Sequence, residues 1–382
     1  MDFAFDTGQL EFKRKVFDFA RENLVDDVVA RDRDSVFDRD LWQRCADFGL
    51  LSLAAGNAYS PHDDVDFLTA LLAAEALGEA CPDNGLAFAV NAHVWTVQLP
   101  ILKFGSDEQK ARYLPGMCDG SLIGAHAVTE PNTGSDLYSM SATASKVDGG
   151  YQLNGHKHYI SLGPVSDVAL VFALTDPDAG KWGVSAFLVD TASEGVRVGP
   201  NREKMGLRTV PFGDLFFDDV FVADTQLLGP EGAGVSLSSS SLEWERCAIL
   251  ASQLGAMQRQ LDECVTFARE RRQFKQPIGH FQAVSHRIVE MKLRLETSRL
   301  LLYKVAWLKQ TGQNAMTEAA LLKLHLGESF MASSLDAIRV HGARGYLSEF
   351  GIERDARDAI GSTIYAGTSD IQRNIVARLL GL

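Results

Sequence analysis

The chain has 382 residues, 46% of them hydrophobic and 23% charged, and carries a formal net charge of −13 at pH 7. One hydrophobic core stops growing near about 250–300 residues, so a single small domain is excluded and two or three packed units are expected. The acidic average surface would repel other polyanions, which argues against a nucleic-acid or anionic-membrane partner.

The five cysteines, Cys45, Cys81, Cys118, Cys247 and Cys264, are odd in number and form no C-x-x-C pair. That usage fits a reduced, cytoplasmic compartment. The N-terminus lacks the charge pattern of a secretion or transit signal, and no run is read as approaching the ~18–20 apolar residues of a membrane span.

From Gln9 to about Gly120 apolar residues recur at helical spacing, as in Phe12, Val16 and Phe19 and again in Leu68, Leu71, Leu72 and Leu77. Breaks are expected at Gly56-Asn57, Ser60-Pro61 and Pro82-Asp83. Between Leu122 and about Asp224 the pattern changes to short β runs: YQL, DVALVFAL, VSAFLVD and DLFFDDVFV. Asn154-Gly155 after the first run predicts a tight hairpin, because a two-residue type I′ turn needs positive φ at both positions. From about Gly234 long helical patterns return, with Ile288, Met291, Leu295, Leu302 and Val305 on one side of a helix. The predicted architecture is mainly α with a central β domain: an N-terminal helical bundle (1–121), a β-barrel or sandwich (122–230) and a C-terminal four-helix bundle (231–382).

A dinucleotide fold of the doubly wound kind does not fit, since the GAG at Gly232–Gly234 lacks the third glycine and the flanking βαβ unit. His156 and His158 could share a strand face, but no third ligand stands at metal-site spacing, so no metal is expected.

Four segments in series, AVTEPNTGSD (127–136), HYIS (158–161), ARERRQFKQPIGHFQAV (268–284) and IYAGTSDIQRNIVAR (364–378), resemble the signatures of the acyl-CoA dehydrogenase family, in its order and at its separations. The resemblance implies FAD as cofactor, a homotetramer, and α,β-dehydrogenation of an acyl thioester of CoA or a carrier protein. It also implies electron transfer to an electron-transfer flavoprotein or another acceptor. It places Val128, Thr129, Gly134 and Ser135 along the flavin and the thioester arm, Tyr159 over the flavin and Ser161 near its N5. Arg271, Phe274 and Gln282 would meet the FAD of a neighbouring subunit. Arg339 and Ala343 stand where glutamine and glycine are common beside the adenosine diphosphate. Thr368 matches a FAD contact, and Asp370 replaces a usual glutamine.

The reaction implied needs a carboxylate to remove the α-proton and donors aimed at the thioester carbonyl. The family's usual glutamate position is Ala366 here, which with Gly367 would keep only the backbone and its N–H. Members resembling isovaleryl-CoA dehydrogenase carry the base on a C-terminal helix before an arginine, and the matching pair is Glu245-Arg246, with Arg246 beside the substrate. A solvated helix glutamate would have a cation one turn on, but Ala248 and Ile249 stand there. Glu243 is the rival base. A flavin monooxygenase or oxidase on the same fold, and a catalytically silent scaffold, are the alternative functions.

Overall fold

The computed structural model describes residues 4–56, 58–62 and 65–382. Asn57, half of one expected break, lies outside the described residues.

The N-terminal part packs α1 (Thr7–Asn23), α2 (Val28–Asp34), α3 (Arg39–Phe48), α4 (Phe67–Ala80), α5 (Asn84–Ala92), α6 (Leu99–Phe104) and α7 (Asp107–Cys118). Helix starts follow local chemistry. Asp6, Asp27, Asp38, Asp66 and Asp83 each cap the helix that follows, their carboxylates accepting first-turn N–H groups that have no partner in the helix. α5 runs into α6 through a wider π turn at His93–Gln98. Pro100 has no N–H for the Thr96 carbonyl, which accounts for the widening. The continuous stretch Asn84–Phe104 is therefore long and apolar enough to cross a membrane, contrary to the expectation from sequence, but almost all of it is buried inside the protein. Asn91, His93 and Gln98 interrupt the apolar run: His93 bonds Met117 O and Gly124 N, and Gln98 donates to Met117 O while its Oε1 has no partner among the described residues.

The central sheet comprises β1 (Gly124–Ala127), β2 (Thr143–Val147), β3 (Gly150–Ser161), β4 (Val168–Leu174), β5 (Val184–Asp190), β6 (Val196–Val198) and β7 (Phe212–Ala223). Its order is β1-β4-β2-β3-β7-β6, with β5 antiparallel on β4. The expected hairpin is displaced. Val147 pairs with Gly150, so Asp148-Gly149 makes the two-residue turn, while Asn154-Gly155 lies inside β3 at a bulge against β7. Asn154 there exchanges side-chain bonds with Asp219 across the strands.

The C-terminal part is built on α8 (Gly234–Glu270), a 37-residue helix, followed by the hairpin β8 (Arg272–Gln273) and β9 (Gln276–Pro277). Next come α9 (Gln282–Gln310), α10 (Met316–His341), the short α11 (Ala343–Tyr346), α12 (Ile352–Gly361) and α13 (Ser369–Leu379). α8 packs on α4, α9 and α10, and one apolar cluster joins both helical parts. Met291, Leu295, Leu302 and Val305 of α9 are buried as the periodicity predicts. Val289, Leu293, Leu300 and Trp307 on the same helix are half-exposed or more.

Candidate active site

The site lies where α8 meets the sheet and α13. A cavity of about 430 Å³ opens there, walled by Val128 and Ser135 from the loop after β1, Ser238, Glu243 and Arg246 from α8, and Arg378 from α13. Its remaining lining is largely aliphatic, including Leu137, Met140, Val184 and Leu242. Such a slot, apolar with a few hydroxyls, suits a slender arm of methylenes and amides.

The loop after β1 is fixed from beneath by a pair that sequence reasoning missed. Lys157 Nζ, fully buried, donates to Glu130 Oε1 at 2.7 Å and to Val128 O at 3.1 Å. Glu130 also accepts from Ser141 and Ala142 N–H groups. Burial alone would raise the Glu130 carboxyl, but Lys157 and the Ser141 donors outweigh it and hold it below its ordinary value. His158 N–H completes the brace on Thr129 O at 2.8 Å.

β3 shifts register between Lys157 and Ile160, and Tyr159 and Leu162 adopt φ of +63°. Left-handed backbone costs a non-glycine residue roughly 1–2 kcal/mol and collects at functional sites. The bulge turns Tyr159 outward, 53% exposed, and leaves Ser161 partly open at the strand end. Gly134 and Ser135 are exposed nearby, and a side chain at Gly134 would meet nothing within 4 Å. An upward-facing ring, a hydroxyl and an open glycine loop on one edge fit a planar cofactor such as a flavin.

Beside them the structure supplies the third group that spacing did not show. Asp214 lies 3.0 Å from both His156 Nε2 and His158 Nδ1, so the three could face one ion. Arg202 occupies the same carboxylate, at 3.0 Å through Nε and 2.7 Å through Nη2. Against the raising effect of burial, Arg202 and the two imidazoles hold Asp214 well below the usual carboxylate range.

Glu245 is buried on α8, and its Oε2 has no hydrogen-bond partner among the described residues. Burial pushes its pKa up to about 7, against the pull of Arg246 and Lys323. Glu243 borders the cavity but is held by Lys309 Nζ at 2.8 Å. Arg246 Nε donates to Ala366 O at 3.3 Å, and Gln372 donates to the carbonyls of Ala366 and Gly367. Ala366 at φ +54° and Gly367 at +89° make a left-handed corner between α12 and α13, held by these donors. Farther along the same face of α8, Ile249 and Gln253 close with Phe88, Phe330 and Tyr365 on a space of only about 10 Å³.

None of the remaining predicted residues lines the cavity. Arg271 caps the end of α8, and Phe274 stands 89% exposed at the β8–β9 turn with φ +48°. Gln282 opens α9, and exposed Arg339 ends α10 near exposed Ala343 and makes an ion pair with Asp336. Thr368 caps α13 through Ile371 N–H, and exposed Asp370 pairs with Arg373.

Comparison with known proteins covers the whole chain. Models of the N-terminal, middle and C-terminal domains of acyl-CoA dehydrogenases match residues 6–121, 125–220 and 232–381. The chain is 41% identical to the L-prolyl-[peptidyl-carrier protein] dehydrogenase of Pseudomonas fluorescens, over 100% of both chains. It is 35% identical to the mitochondrial isovaleryl-CoA dehydrogenase of Oryza sativa, over 98% of this chain and 92% of that one. Among solved structures, the prolyl acyl carrier protein oxidase AnaB superposes with a TM-score of 0.97 at 43% identity, covering 99% of this chain and 100% of that one. PigA with FAD and proline gives 0.96 at 38% identity, covering 100% of both.

Proposed function

Since the chain belongs to the acyl-CoA dehydrogenase family and is an FAD-dependent dehydrogenase of acyl thioesters, we propose that it oxidises the prolyl thioester of a peptidyl-carrier protein, with Glu245 as base. The observation that carries the assignment is a buried carboxylate with one free oxygen, beside a loop whose usual glutamate is Ala366. Two relatives named for prolyl-carrier-protein oxidation match the whole chain, at 41% and 38% identity.

In this reading the thioester arm lies in the slot between Ser135 and α8, which brings the acyl group to Glu245. The Glu245 carboxylate takes the α-proton, and a pKa near 7 keeps it strong enough as a base while ionised at neutral pH. The Ala366 N–H faces the thioester carbonyl, where negative charge grows, and Arg246 and Gln372 fix that corner by holding its carbonyls. Bound FAD would supply the hydride acceptor for the β-hydrogen. Val128, Thr129, Gly134, Ser135, Tyr159 and Ser161 would hold its ring, with Thr368 and Asp370 as further contacts. Arg271, Phe274, Gln282, Arg339 and Ala343 would hold the distal half from a neighbouring subunit. The exposed Val289, Leu293, Leu300 and Trp307 of α9 and the bare Phe274 ring support burial in a homotetramer. Electrons pass on to an electron-transferring flavoprotein or another acceptor.

Anaerobic mixing of FAD-loaded protein with prolyl-carrier protein, prolyl-CoA and isovaleryl-CoA tests the substrate. Flavin bleaching is expected to be fastest with prolyl-carrier protein. Faster bleaching by isovaleryl-CoA would overturn the prolyl assignment. Ser161→Ala is expected to slow flavin reduction about tenfold or more at saturating substrate with little change in KM, since a hydroxyl that bonds N5 as hydride arrives acts mainly in the transition state. An equal rate at saturation would remove Ser161 from the site.

A further inference from the structure

We propose that Lys323 is a positioning residue for the base, a buried ammonium on α10 that keeps the Glu245 carboxylate in its proton-accepting form. The inference rests on the reading of Glu245 as base. Lys323 is fully buried, and its Nζ has no hydrogen-bond partner among the described residues. Lysine is rarely buried, and an unbonded interior ammonium opposes folding. A methionine would fill the same space without that cost. The position thus calls for a reason beyond packing.

Across the α8–α10 contact lies the opposite orphan, Oε2 of Glu245. No ion pair within 4.0 Å joins the two groups among the described residues, yet each acts on the other's titration. That separation suits a base. A direct bond would clamp the carboxylate and weaken it as a proton acceptor, whereas a charge held just beyond contact favours ionisation and leaves the oxygen free.

Two cations act on Glu245, Arg246 first and Lys323 second, and the remaining groups around it are otherwise engaged. Arg246 on α8 keeps its charge beside Glu245 while donating to the neutral Ala366 carbonyl, and Lys323 adds a second charge from α10. Glu243, also on α8, is paired with Lys309 of α9. Glu328 on α10 is within 3.9 Å of Arg373 on α13. Tyr365, from the corner before α13, stays neutral because burial and the nearby acids Asp358 and Glu245 raise its hydroxyl. Burial lowers Lys323 itself to about 8, with Arg246 adding to the effect, so it remains an ammonium at neutral pH.

The test is the pH profile of anaerobic flavin reduction in the FAD-loaded enzyme, using whichever thioester bleaches the parent. Glu245 must be ionised to act, so the rate rises with pH through its pKa. Removing the neighbouring positive charge raises that pKa. Lys323→Met is expected to move the acid limb up by about one pH unit, a tenfold loss below both midpoints, with the curves converging at alkaline pH. Lys323→Arg, which keeps the charge, is expected to follow the parent even if the methionine variant fails to hold FAD. An unmoved limb in Lys323→Met, or a limb in Lys323→Arg displaced as far as a charge loss would displace it, overturns the proposal. A parent that no thioester bleaches sinks the assignment of function instead, so the two failures are distinct.

Discussion

Glu245→Gln is expected to retain fold, FAD and thioester binding while flavin reduction falls roughly a thousandfold, within the ~10²–10⁴ that a general base contributes. Glutamine matches the shape of glutamate but cannot take the proton. Stability should move the other way. A carboxyl raised to about 7 in the folded protein from an ordinary 4.5 binds more protons folded than unfolded between those values. The folded state therefore loses stability as pH rises through that window, and glutamine removes the loss. At pH 8 the variant should melt no lower than the parent. Ala366→Glu on the Glu245→Gln background should restore part of the activity, because it returns a carboxylate to the corner from which most relatives work. In the parent the same change should help little, since two close carboxylates raise each other's pKa. Flavin reduction by Glu245→Gln at the parental rate would transfer the role to Glu243.

Arg271→Ala is expected to weaken FAD binding by about 10- to 150-fold, the loss of one charge-assisted bond of about 1.5–3 kcal/mol. If that bond reaches a neighbour's diphosphate, assembly should loosen with it. Sedimentation of a holo monomer with full flavin content would contradict the shared site. Phe274, bare at the hairpin tip, gives a second handle: Phe274→Ser should leave the monomer fold intact while weakening both flavin retention and assembly.

Element types along the chain were legible because period and turn chemistry are local. The strands after Leu122 and the long C-terminal helices stand where the patterns put them. The hairpin went astray for a non-local reason. Asn154-Gly155 and Asp148-Gly149 both carry tight-turn chemistry, and the choice was made by β7, which binds Asn154 through Asp219 across the sheet. Asp214 came to the two histidines in the same way, from a strand 58 residues beyond His156. Lys157 and Lys323 were invisible because lysine reads as surface unless its partners are known, and both partners lie on other elements. Glu245 was legible only through the resemblance and the vacant corner at Ala366; its burial and free oxygen are properties of the packed helices.

One unbroken helix, α8, bears slot-lining Gly234, the proposed base Glu245 and, at Glu270, the start of the exposed hairpin. The 25 positions from Glu245 to Glu270 span about 38 Å, and each added residue would turn one end against the other by about 100°. Substitutions along this rod can be absorbed singly, but an insertion or deletion within it would turn Glu245 away from the slot-lining residues or re-aim the hairpin. Over evolutionary descent α8 should therefore behave as a ruler, free to vary in spelling but fixed in length, and gaps between relatives should fall in the loops on either side of it.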